Sequence, residues 1–361
     1  MTSKPDDSAA ERADQLISLA RSLAFARVGV CDASPSAFAP QLKSWLDAGR
    51  QGSMAYLERN NDIRTDPAAL MPGARSFLMV ADQYATRNDP PDPEAAPDRG
   101  RIARYARGRD YHKVMKKRLH TLCDRATELF PGASFRAFVD TAPVPERELA
   151  ARASLGWTGK HTLVIHPRLG SYMLLGGVAT TLELATPEAQ KPVTDHCGSC
   201  TRCIDACPTD AITPYHVDAS RCISYLTIER REPIDPEFFG PIGDWLYGCD
   251  ICQEVCPHNS PRPTSVGAGR AHDAYAPARD SFDLLEILSW SESDRRHAFE
   301  GTALKRATLA MMKRNAIIAA ANSLSRVNTP ALRTRIERIA TDHDEDPMVR
   351  QTAAQTLASP D

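Results

Sequence analysis

Eight of the ten cysteines in this chain lie between positions 197 and 256, and their spacing carries the strongest chemical signal in the sequence. Cys197-Gly-Ser-Cys200-Thr-Arg-Cys203-Ile-Asp-Ala-Cys207-Pro208 is a C-x2-C-x2-C-x3-C-P run. In bacterial ferredoxins such a run gives three thiolates to one [4Fe–4S] cluster and its fourth to a neighbouring cluster. A short loop can wrap three corners of a cubane, so each fourth corner must come from elsewhere. Cys222 and the run Cys249-Asp-Ile-Cys252-Gln-Glu-Val-Cys256-Pro257 supply it. The crossover assigns Cys197, Cys200, Cys203 and Cys256 to one cluster, and Cys207, Cys222, Cys249 and Cys252 to the other, with none left over. Paired C-x2-C segments also build tetrahedral zinc sites, but those do not usually place four cysteines in one 2-2-3 run ending in proline.

Two adjacent cubanes pass single electrons, so the chain is either an electron carrier or an enzyme that delivers electrons to a substrate. More than half of the 361 residues precede Cys197, a surplus that favours an enzyme with a reducible centre of its own. At roughly 100–200 residues per domain the length predicts two or three domains. A hydrophobic fraction of 42% and a charged fraction of 25% exclude a largely disordered chain. No apolar run reaches the roughly 20 residues that span a bilayer. The start, MTSKPDDSAAERADQL, is polar and acidic with no signal region or twin arginine, which predicts a cytoplasmic protein without a membrane partner. Clustered cysteines in a reducing compartment are metal ligands rather than disulfides. Cys31 and Cys123, outside the cluster, read as buried structural thiols.

The elements that must carry this chemistry mix strands and helices. Residues 10–30 hold a helix with Leu16, Leu19, Ala20 and Leu23 on one face, then a short strand, Ala26–Val30. Ser76–Asp82 is a second strand, and the Pro/Asp-rich stretch Asn88–Arg99 a surface loop. Met115, Leu119, Leu122, Ala126 and Leu129 line one helical face. Phe135–Asp140 is a strand, a helix starts at Pro145, and Gly156 ends it. Thr162–His166 and Ser171–Thr181 read as a hairpin around Pro167–Gly170. No G-x-G-x-x-G follows any strand, which disfavours a nicotinamide-binding Rossmann domain. Residues 257–281 read as a linker; beyond it Leu304–Ser323 and Leu332–Leu357 carry helical periodicity, with 346–357 shaped like half of a HEAT-type repeat. The expected class is α+β: a mixed α/β domain over 1–185, a ferredoxin-like two-cluster domain over 186–264, and HEAT-like helices over 265–361.

The stretch Val139-Asp-Thr-Ala-Pro-Val-Pro-Glu-Arg-Glu-Leu-Ala-Ala-Arg-Ala-Ser-Leu-Gly-Trp-Thr-Gly-Lys-His-Thr-Leu163, with the double cysteine motif, Arg221-Cys-Ile-Ser-Tyr-Leu-Thr-Ile-Glu229 and Arg314-Asn-Ala316, resembles epoxyqueuosine reductase across nearly the whole chain. The resemblance implies a cobalamin-dependent enzyme with two [4Fe–4S] clusters that reduces an epoxide to a cyclopentene in the last step of making queuosine in a tRNA anticodon. It also implies that Asp140 gives a proton to the departing oxygen, and that the first domain binds cobalamin. An ordinary aspartate, with a pKa of about 3.9, is ionised at neutral pH, so that role needs a raised pKa. Arg64, Lys160, His161, Tyr225 and Asp250 are the candidate cobalamin contacts. Asp110-Tyr-His112 begins like the Asp-x-His-x-x-Gly motif of histidine-ligated cobalamin, but Met115 stands where glycine is required. A small donor such as a flavodoxin or ferredoxin would supply the electrons. Two other readings stand beside this one: a cobalamin-dependent reductive dehalogenase, and a non-catalytic electron-transfer protein.

With a net charge of −2, tRNA binding needs a local basic patch. Residues 101–118 hold eight Lys/Arg against one acid, with Tyr105 and Tyr111 between them. Phosphates would meet Arg101, Arg104, Arg107, Arg109, Lys113, Lys116 and Lys117, while aromatic rings can stack on unpaired bases. Residues 301–361 add nine Lys/Arg against six acids, a milder excess compatible with a helical RNA platform.

Overall fold

The structure, a computed structural model, describes residues 7–89, 96–261 and 269–358. Strand β1 (Arg27–Asp32) pairs with β2 (Ser76–Gln83), β2 with β7 (Met173–Thr180), and β7 with β4 (Phe135–Phe138), every pair antiparallel. Both β2 and β7 are inner strands and almost wholly buried, as continuous apolar runs require. Helices Ala9–Ser22 and Tyr111–Leu129 cover one face of this sheet, and Glu146–Arg152 covers the other. Glycine at 177 is needed for close approach, because a Cβ there would sit 2.6 Å from the Phe138 ring.

The expected hairpin between 162 and 181 does not form. Strand β6 (Val164–Ile165) pairs with β5 (Trp157–Thr158), and only a single bridge, His166 to Gly170, remains of the expected pairing. The apolar Met173–Thr180 segment buries both faces and both edges by entering the main sheet, which a two-stranded ribbon could not offer it. Gly156 does not end the preceding helix, which stops at Arg152; a Cβ at Gly156 would meet the Ile165 carbonyl oxygen at 2.3 Å.

Strands β8 (Ile212–Thr213) and β9 (His216–Val217) form a small ribbon inside the cysteine-rich stretch. Strand β3 (Arg99–Ile102) lies between β10 (Trp245–Tyr247) and β11 (Ser281–Asp283). This second sheet draws on all three expected domains, and Ile102, Leu246 and Phe282 share one core with the helices Leu309–Leu324, Pro330–Thr341 and Pro347–Ala358. The stretch read as a linker over 257–281 is partly built in: Tyr275 is buried and donates to Asp82 at 2.8 Å. Parts of both expected loops, 90–95 and 262–268, and the first six residues lie outside the described residues. Among the described residues no helix is long and apolar enough to cross a membrane.

Arg314 ties the last helices to the cysteine-rich segment. Fully buried, it donates to the carbonyl oxygens of Leu226, Arg230 and Glu232 and to Asn315 Oδ1. Arg314→Leu strands all four acceptors, and each orphaned buried group costs about 1–3 kcal/mol. The expected loss is on the order of 4 kcal/mol or more, read as a lower denaturant midpoint at unchanged slope.

Candidate active site

The eight clustered thiols fall into two neighbourhoods. Burial first, and then Cys197, Cys203 and Cys200, push the Cys256 thiol up to about 11, while burial and then Cys197 and Cys200 raise Cys203. Burial and Cys207 raise Cys222; burial, with Cys222 and Cys207 among the neighbours, raises Cys249; and burial, Cys249 and Cys222 raise Cys252. Cys203 also acts on Cys252, so the two neighbourhoods adjoin, and this grouping is compatible with the crossover pairing. Among the described residues no three His, Cys, Asp or Glu groups converge on a single-ion site, as a zinc ligand set with bonds of about 2.3 Å would. The thiolate is the ligand form, and cluster iron would stabilise it. The donor set therefore fits iron–sulfur clusters.

Several first-region side chains grip the cysteine loops. Lys160 Nζ donates to the carbonyls of Gly198 (2.7 Å) and Cys200 (3.0 Å). Trp157 Nε1 lies 3.5 Å from Cys197 Sγ, and its ring packs edge-on against His196 and His258. Asp250, between two of the thiols, is buried and accepts from the Arg104 backbone N–H at 2.6 Å; burial pushes its pKa up to about 6. Tyr225 is packed in the core, its hydroxyl accepting from Ser53 N–H and donating to Ser53 Oγ. Lys160, Tyr225 and Asp250 thus have their polar atoms engaged within the protein. Arg64 Nε and His161 Nε2 differ, being buried without a hydrogen-bond partner among the described residues. Burial pushes His161 down to about 4, leaving a neutral imidazole.

Asp140 sits just past β4 with φ 50°, in the left-handed region that an aspartate seldom adopts. Its backbone N–H donates to Glu146 Oε1 at 2.6 Å, and its Oδ2 lies 2.9 Å from His112 Nε2. The other ring nitrogen of His112 lies 2.8 Å from Asp110 Oδ1, and Asp110 also caps the 111–129 helix. Burial pushes Asp140 up, but the His112 hydrogen bond and charge, Tyr111 and Arg306 outweigh it, so its pKa falls below the usual carboxylate range. Burial lowers His112, yet the two carboxylates overcome it and raise its pKa. Glu146 is pushed up to about 8, by burial first and by the Asp140 charge second. Both shifts favour the ion pair of a charged His112 and an ionised Asp140, the reverse of the raised aspartate that a lone proton donor requires. The rim is completed by Arg306, which forks onto Glu229 at 3.0 and 2.6 Å and lies 5.7 Å from the Tyr56 ring centre.

His112, Glu146, Arg306 and Tyr56 are the residues that sequence reasoning missed. His112 stood in view only as a fragment of a cobalamin motif.

The basic run 101–118 is not one surface patch. Arg104 and Arg107 are buried, the first over the Tyr172 ring and the second donating to the Ile102 carbonyl. Arg101 pairs with Asp244 and stacks on Trp245. These three are corrected from phosphate contacts to structural residues, because residues 99–107 form the central strand and turn of the second sheet. Arg109, Lys113, Lys116 and Lys117 remain exposed and make no ion pair among the described residues; the three lysines share one helical face. Backbone bonds from Arg109 to Ala274 and from Asp110 to Gly301 hold this face beside Lys305 and Arg306.

Residues 64–141 match the family described as Epoxyqueuosine reductase QueG, DUF1730, and residues 196–259 match a 4Fe-4S double cluster binding domain. An epoxyqueuosine reductase of Alicycliphilus denitrificans is 39% identical over 351 residues, covering 94% of this chain and 95% of that protein. A crystal structure of epoxyqueuosine reductase with an epoxyqueuosine-modified tyrosine tRNA stem loop superposes with a TM-score of 0.84 at 28% identity, over 95% of this chain and 88% of that one. The Bacillus subtilis enzyme, in a structure with its catalytic aspartate loop swung out of the active site, superposes at 0.82 and 27% identity, over 95% of this chain and 89% of that one. Coverage and identity at this level leave one conclusion: the chain belongs to the epoxyqueuosine reductase family, a family of oxidoreductases with a mixed α/β fold and a 4Fe–4S binding domain.

Proposed function

We propose that the chain reduces epoxyqueuosine to queuosine in a tRNA anticodon loop, using two [4Fe–4S] clusters, bound cobalamin and a proton passed by Asp140. One observation carries the reading. Residues 104–112 run without a break from the thiol quartets to the proton site: Arg104 N–H bonds Asp250, between Cys249 and Cys252, and His112 bonds Asp140. Electron delivery and proton delivery thus meet along one wall.

Cobalamin would be held in part by Arg64 and His161, whose Nε and Nε2 are buried without partners among the described residues, as a cofactor edged with amides would supply. When bound, cobalamin would supply a strongly nucleophilic, reducible cobalt for the strained epoxide. Both ring nitrogens of His112 are engaged by Asp110 and Asp140, which leaves neither free to ligate a metal. Asp140 protonates the oxygen that would otherwise leave as an alkoxide. The swung-out loop of the Bacillus subtilis relative supports the reading that the Asp140 segment, with its positive φ, moves. Lys113, Lys116, Lys117 and Arg109 meet the stem-loop phosphates, a small flavodoxin- or ferredoxin-type donor reduces the clusters, and the reaction takes place in the cytoplasm. The last three helices, read as HEAT-like repeats, form the platform beside that face.

Replacing Lys113, Lys116 and Lys117 together by alanine lowers the slope of log affinity against log salt for a stem loop by about 2, at about 0.7 per lost phosphate contact. Arg107→Ala instead lowers the unfolding midpoint and leaves that slope unchanged. The function itself is tested in a bacterium lacking its own epoxyqueuosine reductase. Expressing this chain restores queuosine in bulk tRNA when the medium supplies cobalamin, whereas persistent epoxyqueuosine with abundant, iron-loaded protein refutes the proposal.

A further inference from the structure

We propose that His112, backed by Asp110, is the proton reservoir of the active site and recharges Asp140 between the two protonations of each turnover. The inference rests on the epoxide-reducing function proposed above and assigns a positioning and relay role to residues outside the catalytic aspartate.

The geometry comes first. His112 Nδ1 faces Asp110 Oδ1 at 2.8 Å, and the same oxygen accepts the His112 backbone N–H, so the ring is fixed from its own helix start. That oxygen is already an acceptor for the backbone N–H, so Nδ1 is the donor in this contact and carries a hydrogen. Nε2 then faces Asp140 Oδ2 at 2.9 Å, a contact that needs one proton, on the imidazole or on the carboxyl. The Tyr111 ring stacks on the imidazole at 4.0 Å and blocks rotation out of the pair. The charged groups facing the ring from packed elements are Asp110, Asp140 and Glu146, all carboxyl groups. Arg306 faces Asp140 from the far side and favours its anion. The proton therefore rests on His112 and crosses to Asp140 as the substrate takes one.

The stoichiometry gives this arrangement its purpose. Converting an epoxide to an alkene breaks two C–O bonds, consumes two electrons from the low-potential donor and two protons, and releases water. Asp140 holds one proton at a time. The pair shares one proton, so His112 passes it to Asp140 and, with its side chain 33% exposed, takes another from solvent before the second transfer. Asp110 stabilises the imidazolium while it waits and holds its orientation.

The test uses the full-length, cluster-loaded enzyme with cobalamin, a strong reductant and an epoxyqueuosine stem loop. In His112→Gln the amide keeps a hydrogen bond to Asp140 but carries no transferable proton. Its kcat at pH 8 is expected to fall at least tenfold while KM stays within twofold. The remaining rate climbs as pH is lowered, where wild type is flat over the range in which His112 stays charged. Added imidazole restores part of the rate to His112→Ala, as a merely structural loss would not allow. Independently, the 15N shifts of His112 in the wild-type protein should report an imidazolium at pH 7.5, and its pKa should drop in Asp140→Asn. A wild-type pH profile and kcat in His112→Gln, or a neutral ring at pH 7.5, overturns the relay. If wild type itself makes no queuosine, it is the underlying function that fails.

Discussion

Asp140→Asn should lower turnover by about 10²–10⁴-fold, the range that a positioned general acid contributes. Asparagine keeps a polar contact with His112 and the backbone N–H bond to Glu146, yet it has no proton to give. Cluster absorbance, cobalamin binding and stem-loop affinity should therefore stay within twofold of wild type, which separates the loss from misfolding. The stability change should be under about 1 kcal/mol, because the Asp140 side chain is 54% exposed and solvent screens its pairing. Its pH dependence has a definite sign. The His112 pKa is raised on folding, so its contribution is present below about 6.5 and is lost as pH rises through the higher folded value. The Asp140 pKa is lowered, so its contribution is present above about 3.9 and is lost as pH falls through the lower folded value. The stability gap between wild type and Asp140→Asn is thus widest between about pH 4 and 6.5. Equal turnover by the variant would leave the family assignment standing and remove Asp140 from the mechanism.

Cys222→Ala should halve the iron content, from about eight atoms per chain to about four, and abolish turnover. Cys222 stands apart from both runs, so its effect tests the crossover rather than the motif. Cys207→Ala should remove the same four irons, and the Cys207/Cys222 double variant should lose no more, because both belong to one quartet. Cys256→Ala should cost the other four. Cys31→Ala and Cys123→Ala should keep all the iron, since burial pushes those thiols up to about 12 and about 11 with no other cysteine among the groups acting on them. Iron loss that adds up between Cys207 and Cys222 would break the assignment of ligands to quartets.

The cysteine chemistry was legible in the sequence because a cubane constrains spacing along the chain: three corners must be local and the fourth distant. Asp140 was legible only through family resemblance, as nothing local distinguishes it from a strand-end turn. Its neighbours were not legible at all. His112 lies 28 residues away, and only the packing of the 111–129 helix against β4 brings it within 2.9 Å. Charge misled at Arg104 and Arg107, since a run of cations reads as surface until tertiary structure shows aromatic faces and carbonyls to receive them. The missed pairing of Met173–Thr180 has the same origin. Turn residues at 167–170 argued for a hairpin, and the burial demand of an apolar strand overrode them.

The most direct test is anaerobic turnover on tRNA bearing epoxyqueuosine, with reconstituted clusters and a strong reductant, with and without cobalamin, read as digested nucleosides by mass spectrometry. Queuosine should appear only with cobalamin present and in proportion to intact clusters. Unchanged epoxyqueuosine from protein with full iron and bound cobalamin, or queuosine formed equally without cobalamin, would contradict the proposed chemistry.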